Sequence, residues 1–553
     1  MLAWPRVLLP LVLVVGLVSA CVSTPGTPAP ATRSSAARAT ASSPAALPPA
    51  TVRPDPGHVA TLTTVLQRMR QQFASLGQIP GPADVLDYDL GALWTKGIDG
   101  TGTTIALIEG WNDPYIGTVI GKFDHLFGLP DPDIRTIYPS GNGHLPPQCP
   151  PGMAALGTYG SCDAWAVELT LDVEAVHLVA PYAKIVLAIT PADSEITDDA
   201  ASQVAPPEMM QAVETISAHH LADVVSISDG TGESTYSDGT AEIHAQDPGE
   251  LAAAAAGIPV VVGTGDCGAV QNLPVASSQC GDVSAKPDTA AWDDSPWVTA
   301  VGGTVPNLSP SNGARLGPDP VWQEDHLAEG AGFSSVYPRP DYQNGVASIT
   351  GSAMRSVPDI TMDAQLGTSE AAPLFAGVLA LATQLNHGVV GPINDALYRV
   401  LGPRGAADGI TDVVTGGNGV PGVPGFTAGP GFDVASGWGT VDAGAFVPAL
   451  VGAVRSERGG VRARAAAELA TLRAGAHLAG DVTGPATLSG GGFLPRHPVR
   501  LAVDGHPVAT VTASPAGVVT YSLDPKSLGL RTGSHSVSLT GMLLTETARF
   551  RSH

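Results

Sequence analysis

Two carboxyls four residues apart, an acid in a glycine-rich loop and a serine at the mouth of an apolar run are the side chains here best placed to share one chemistry. Glu168 and Asp172 stand in the segment Ala-Trp-Ala-Val-Glu-Leu-Thr-Leu-Asp-Val-Glu-Ala-Val, residues 164–176. A spacing of four puts both on one face of a helix. That face also carries Trp165, Leu169 and Val176, so the pair points with apolar side chains rather than into a solvated stripe. Two like charges in a dry site cannot both ionise easily; one pKa rises, the other falls, and the pair titrates as a unit. Such a pair can serve as a general base, Glu168 accepting a proton while Asp172 orients it and holds the shared one.

A base needs something to activate. Gly367-Thr-Ser-Glu-Ala-Ala-Pro373, followed by the apolar run 374–381, sets Ser369 where a loop enters a buried helix, with Pro373 tolerated in the first turns. The positive end of a helix dipole is a favourable place to build negative charge on a substrate oxygen. The same Gly-Thr-Ser also reads as an ordinary helix cap. A serine nucleophile usually takes its base from a histidine held by an acid, and no histidine here has the right setting: the first strand ends in Glu109-Gly110, and His387-Gly388 follows the serine. The third acid is Asp266, in Val-Val-Val-Gly-Thr-Gly-Asp-Cys-Gly, residues 260–268. A protonated acid in that loop can donate a hydrogen bond to a tetrahedral oxyanion. Alone, Asp-x-Gly is equally a plain turn.

The elements that must position these residues are strands and helices in alternation. Runs at 104–108, 184–189, 224–228 and 259–262 are apolar on both faces, and helical patterns fill 164–179, 208–218 and 250–256. Buried strands separated by helices predict an α/β fold, a doubly wound parallel sheet with its site at the carboxyl ends of the strands. A helical pattern (Leu62, Val65, Leu66, Met69, Phe73) opens this unit, which spans 58–455. Residues 456–479, rich in Ala and Arg, predict a linker helix. From 480 to 553 alternating strands take over: 499–503, a turn at Asp504-Gly505, and 508–512 read as a hairpin of a small Ig-like β-sandwich. Its role is open between a spacer or packing module and a binding module.

Composition fixes the compartment and excludes one class of partner. Arg6, the apolar run 7–18 and the small residues Ser19 and Ala20 form an export signal over 1–20, too short to span a bilayer. Val18-Ser19-Ala20-Cys21 resembles a lipobox, in which Cys21 becomes the lipidated first residue; cleavage nearby with an incidental cysteine is the alternative. Residues 21–57 are a Pro/Ala/Ser/Thr-rich tether. With 27 basic against 51 acidic residues and a net charge of -24, a nucleic-acid partner is disfavoured. Beyond Cys21 an even number of cysteines remains, and their close spacings favour Cys149–Cys162 and Cys267–Cys280, though three pairings are formally open. No cysteine or histidine cluster has zinc spacing.

With these motifs in order, residues 87–447 resemble the sedolisin family of serine-carboxyl peptidases, which have a subtilisin-like fold. The matching elements are Glu-x-x-x-Asp with Ala180-Pro181 after it, Ser226-Ile-Ser-Asp-Gly230, Gly-Asp-Cys-Gly and Gly-Thr-Ser-x-x-x-Pro. The resemblance implies Glu168, Asp172 and Ser369 as the triad and Asp266 as the oxyanion donor. It also implies one Ca2+ per chain, on the side chains of Asp412 and Asp433 and the carbonyls of Val413, Gly429 and Gly431. Two departures accompany it: a tether and a short helical segment stand where family members carry a long folded propeptide, and the stretch between Ile360 and Gly367 is shorter than usual. The expectation is a peptidase hydrolysing peptide or protein substrates at acid pH through an acyl-enzyme, lipid-anchored on the outer face of a membrane or secreted. A surface binding or adhesion protein on the same fold is the alternative.

Overall fold

The structure is a computed structural model that describes residues 52–76, 81–139, 162–190, 207–273, 279–457, 460–479 and 482–553. The signal segment, Cys21, most of the tether, Cys149 and the Cys162 side chain lie outside the described residues.

Seven parallel strands form the central sheet: β1 (Thr104–Glu109), β2 (Asp133–Ile137), β3 (Lys184–Ile189), β4 (Val224–Ile227), β5 (Val260–Gly263), β6 (Thr299–Thr304) and β7 (Ile360–Asp363). Their order across the sheet is β7-β6-β5-β4-β1-β3-β2. Val, Ile and Leu dominate β1, β3, β4 and β5, and every residue of β4 and β5 is buried, as expected of strands covered on both faces. In β1, Ile105 and Leu107 enter one apolar cluster while Ala106 and Ile108 enter the other, so the sheet divides the core into two layers. The chain order reverses around β1, which pairs with β3 on one side and β4 on the other. That reversal opens a crevice at the carboxyl ends of the strands.

The longer helices around this sheet, with one short helix near the N-terminus, are α1 (Pro56–Leu76), α2 (Pro82–Asp87), α3 (Ile116–Phe127), α4 (Cys162–Val179), α5 (Pro207–His219), α6 (Asp247–Ala256), α7 (Thr368–Asn386), α8 (Ala443–Glu457) and α9 (Gly460–Arg473). The most buried is α7, whose residues Ala371 to Thr383 are all inaccessible, and it packs against both α4 and α8. The opening helical pattern is α1, and its Leu62, Val65, Leu66 and Met69 belong to the principal core rather than to a separate one. In α3, Asp124 reaches across to His177 of α4 at 3.0 Å.

The described part of the segment expected as a linker helix holds the last residues of α8, the whole of α9 and a short strand. The sequence has Gly459-Gly460 at this junction, and glycine is, after proline, the residue least favourable in a helix interior. Ala465 and Leu469 of α9 pack on Leu251 and Ala254 of α6. Beyond α9 come β8 (His477–Ala479), β9 (Ala486–Gly490), β10 (Pro498–Val503), β11 (His506–Thr512), β12 (Val519–Leu523), β13 (Gly533–Thr540) and β14 (Thr545–Ser552). They form two sheets, β8-β9-β12 and β11-β10-β13-β14. Leu488, Phe493, Val499, Leu501, Val519 and Leu539 fill the space between them. Asp504 and Gly505 turn the hairpin with φ of 49° and 79°, the left-handed pair that a two-residue hairpin loop requires. Leu494 and Leu543 leave this module's own core and join Met209, Met210 and Ile216 of α5. Arg496 adds a two-pronged pair with Asp238, at 2.8 and 2.9 Å. Packing of this kind makes the module a buttress of the sheet's flank.

Candidate active site

Site residues gather at the carboxyl ends of β1, β4 and β5, against the first turns of α7. In α4, Leu169, Val173 and Val176 are buried in the core, which turns Asp172 inward to full burial and leaves Glu168 half-buried one turn earlier. Ser228, just past β4, donates its hydroxyl to Asp172 Oδ2 at 2.9 Å and also lies 3.3 Å from the Ser369 carbonyl oxygen.

Electrostatics bind these groups into one unit. Burial pushes Glu168 up to about 8, against the Ser369 hydroxyl, whose hydrogen bond favours the ionised form; the Asp266 and Asp229 charges push the same way as burial. Burial and then the Glu168 charge hold Asp172 well above the usual carboxylate range. A further acid stands behind them. Glu109, the last residue of β1, is fully buried and lies against Asp172. Among the described residues neither Glu109 oxygen meets an N–H or hydroxyl donor, nor does Asp172 Oδ1. Two buried carboxyls side by side cannot both ionise easily, so the pair favours a bound proton. Burial, then Asp172 and Glu168, raise Glu109 well above its ordinary value.

Asp266 connects the loop after β5 to the start of α7. Its Oδ1 accepts the Thr368 N–H at 2.8 Å and the Thr368 hydroxyl at 3.0 Å, and its Oδ2 accepts the Gln279 side-chain amide. The Thr368 oxygen in turn accepts Gly265 N–H at 2.9 Å. Gly367, immediately before α7, has φ of 97°, and a Cβ there would stand 2.7 Å from Asp266 Oδ2. Only glycine permits both that turn and that approach. Burial raises Asp266 from its ordinary value although Thr368 and Gln279 oppose it. Gly110 plays a similar part under α4, where a Cβ would strike the Trp165 ring at 2.5 Å.

The four predicted side chains are therefore brought together from α4, the β5 loop and α7. Residues 153–395 match the family model for the subtilase family. Kumamolisin of Bacillus sp. (strain MN-32) is 27% identical over 402 residues, covering 68% of this chain and 65% of that protein. Tripeptidyl-peptidase sed5 of Aspergillus fumigatus is 32% identical over 226 residues, covering 34% and 37%. The solved structure of Pseudomonas sedolisin, a serine-carboxyl proteinase complexed with two molecules of pseudo-iodotyrostatin, superposes with a TM-score of 0.53 at 24% identity. It covers 68% of this chain and 97% of that one, and establishes the subtilisin-like fold. The chain is thus similar to the subtilase family and to individual serine-carboxyl and tripeptidyl peptidases. The chain spans 65% of kumamolisin's length and 37% of the fungal peptidase's, less than two thirds in each case.

Sedolisin-type calcium would have to sit in the loop after Gly429. There Asp412 Oδ2 accepts Gly431 N–H at 2.9 Å and Asp433 Oδ2 accepts Gly429 N–H at 2.8 Å, so both carboxylates face the same turn. Asp433 Oδ1 also takes the Ser436 N–H, at 2.9 Å. Among the described residues no Lys or Arg forms an ion pair with either. Two carboxylates facing one turn, with no Lys or Arg paired to either among the described residues, are hard oxygen donors of the kind Ca2+ takes.

Sequence reading passed over four residues. Glu109 appeared only as the end of the first strand, Thr368 as part of a cap, and Ser228 as part of a strand-end motif. Gln279 carried no signal except its place beside Cys280. The Cys267–Cys280 disulfide is present, with Cα atoms 5.2 Å apart.

Proposed function

We propose that this protein is a serine-carboxyl peptidase that hydrolyses peptide bonds at acid pH through an acyl-enzyme on Ser369. The carrying observation is that Ser228 links buried Asp172 to the Ser369 backbone while Thr368, beside Ser369, binds Asp266, so the carboxyls and the serine converge. In this reading the Glu168 carboxylate takes the Ser369 proton as its oxygen attacks the substrate carbonyl. A protonated Asp266 donates to the resulting oxyanion. Glu168 then passes its proton to the leaving amine, the acyl group stays on Ser369, and water reverses the sequence to release the acid. Asp172 and Glu109 hold Glu168 in place and buffer its charge.

Two requirements oppose each other: Asp266 must be protonated while Glu168 is ionised. Because the active form needs a proton on Asp266 and none on Glu168, both of which burial raises, its population rises and then falls with pH. A peptide library incubated across the pH range tests the reading. Cleavage should be bell-shaped and should fall about a thousandfold or more in Ser369→Ala. A rate that keeps climbing beyond pH 8, or equal turnover by the variant, would remove it.

Calcium, held by Asp412, Asp433 and the carbonyls of Val413, Gly429 and Gly431, belongs to the same proposal; bound there it neutralises two carboxylates and ties the loop to the domain. Export and anchoring rest on the sequence alone. A lipidated Cys21 would hold the protein at the outer face of the membrane, and among the described residues no helix is long and apolar enough to cross one.

A further inference from the structure

Asp266 is bracketed by a covalent link. Cys267, its neighbour, is joined to Cys280, and the residue before Cys280 is Gln279, whose amide meets Asp266 Oδ2. Described residues next to both cysteines are also held in place. The Asp266 carbonyl accepts Ala328 N–H at 2.8 Å and Gly268 N–H donates to the Ala328 carbonyl at 2.9 Å. Cys280 N–H donates to Asn272 Oδ1 at 2.8 Å. Cys267 is buried, and Gln279 is half-buried at the edge of the cleft.

A carboxyl group offers about four lone-pair positions. At Asp266 the Thr368 N–H and hydroxyl fill both positions on Oδ1, and Gln279 fills one on Oδ2. A proton on Asp266 then has one place left, on Oδ2, the oxygen that lies over Gly367 two residues before Ser369. We infer that Gln279 is a positioning residue: held by the Cys267–Cys280 disulfide, it confines the Asp266 proton to the orientation that meets the oxyanion. The disulfide thus does more than close a loop, because it fixes the side chain that aims the acid. The charged group facing Asp266 from the opposite element is Glu168 of α4; Thr368 and Gln279 are neutral.

This inference rests on the peptidase reading, and the experiment separates the two. Gln279→Met keeps the length of the side chain and removes the donor. It should lower kcat by up to about tenfold, the worth of one hydrogen bond between neutral groups, with KM unchanged. Since that donor favours ionised Asp266, its loss should also move the alkaline limb of the pH profile upward. In an Asp266→Asn background the same substitution should cost nothing further, because its whole effect passes through Asp266. Cys267→Ser/Cys280→Ser, which keeps the amide but frees it, should reproduce both changes and serves if Gln279→Met folds poorly. Wild-type kcat and pH limb in Gln279→Met, or losses that add fully to those of Asp266→Asn, would overturn the inference while peptide cleavage stands. If neither wild type nor Ser369→Ala cleaves any peptide, the functional reading itself falls.

Discussion

Ser228 donates its hydroxyl to Asp172 at 2.9 Å, joining the end of β4 to the inward face of α4. It is the one hydroxyl donor that Asp172 has among the described residues, and it sits against the Ser369 carbonyl oxygen as well. Ser228→Ala should therefore do two things. An Asp172 oxygen left buried without a donor costs roughly 1–3 kcal/mol, which thermal denaturation will register as a lower Tm. Asp172, further raised, will hold its proton to higher pH, and kcat should fall with KM little changed. Unchanged kcat would mean that Asp172 needs no help in orienting Glu168.

The buried carboxyls set the direction of the pH–stability curve. Glu109, Asp172, Asp363 and Glu370 are all driven well above their ordinary values by burial, and Glu168 to about 8. Raised acids bind more protons in the folded than in the unfolded chain, so their favourable contribution is complete below the unfolded values near 4 and is lost as pH climbs toward the folded ones. Melting temperature should be higher at pH 4 than at pH 8. Glu109→Gln, neutral at every pH, should flatten that slope. A protein most stable above pH 8 would contradict the assigned burial.

Asp229 has a separable effect. Its charge is one of the two that raise Glu168, and burial lifts Asp229 itself to about 6. Asp229→Asn should lower Glu168 and move the acid limb of the pH–rate profile downward, leaving the alkaline limb in place. A profile that does not move would place Asp229 too far from Glu168 to matter.

Much of this site was legible because its signals are local. Four-residue spacing on one amphipathic helix, a strand followed by Gly-Thr-Gly-Asp, and a loop entering an apolar run each occupy a short window. The doubly wound sheet followed from buried strands alternating with helices. What the sequence hid is long-range: Ser228 meets Asp172 across 56 residues and the Ser369 carbonyl across 141, and Thr368 meets Asp266 across 102. Glu109 looked like a strand end because nothing local says that a buried acid will find another.

Calcium and the anchor are tested by removal. Chelation should lower Tm, since an ion bound only by the folded chain stabilises it by mass action. Asp412→Asn/Asp433→Asn should lose that response, and metal analysis of the native protein should find one calcium per chain. A wild type whose Tm ignores chelator would exclude the site. Cys21→Ser should move the protein from the membrane fraction to the medium, because acyl chains supply the attachment; retention on membranes would point to another surface.

The most direct measurement is chemical trapping of the acyl-enzyme. Purified protein turning over a peptide ester in mild acid is quenched with strong acid, and its intact mass and peptide map are recorded. The account predicts a mass increase equal to the acyl group, on the peptide containing Ser369, present in wild type and absent from Ser369→Ala. Product formation without that adduct, or an adduct on any other residue, would contradict it.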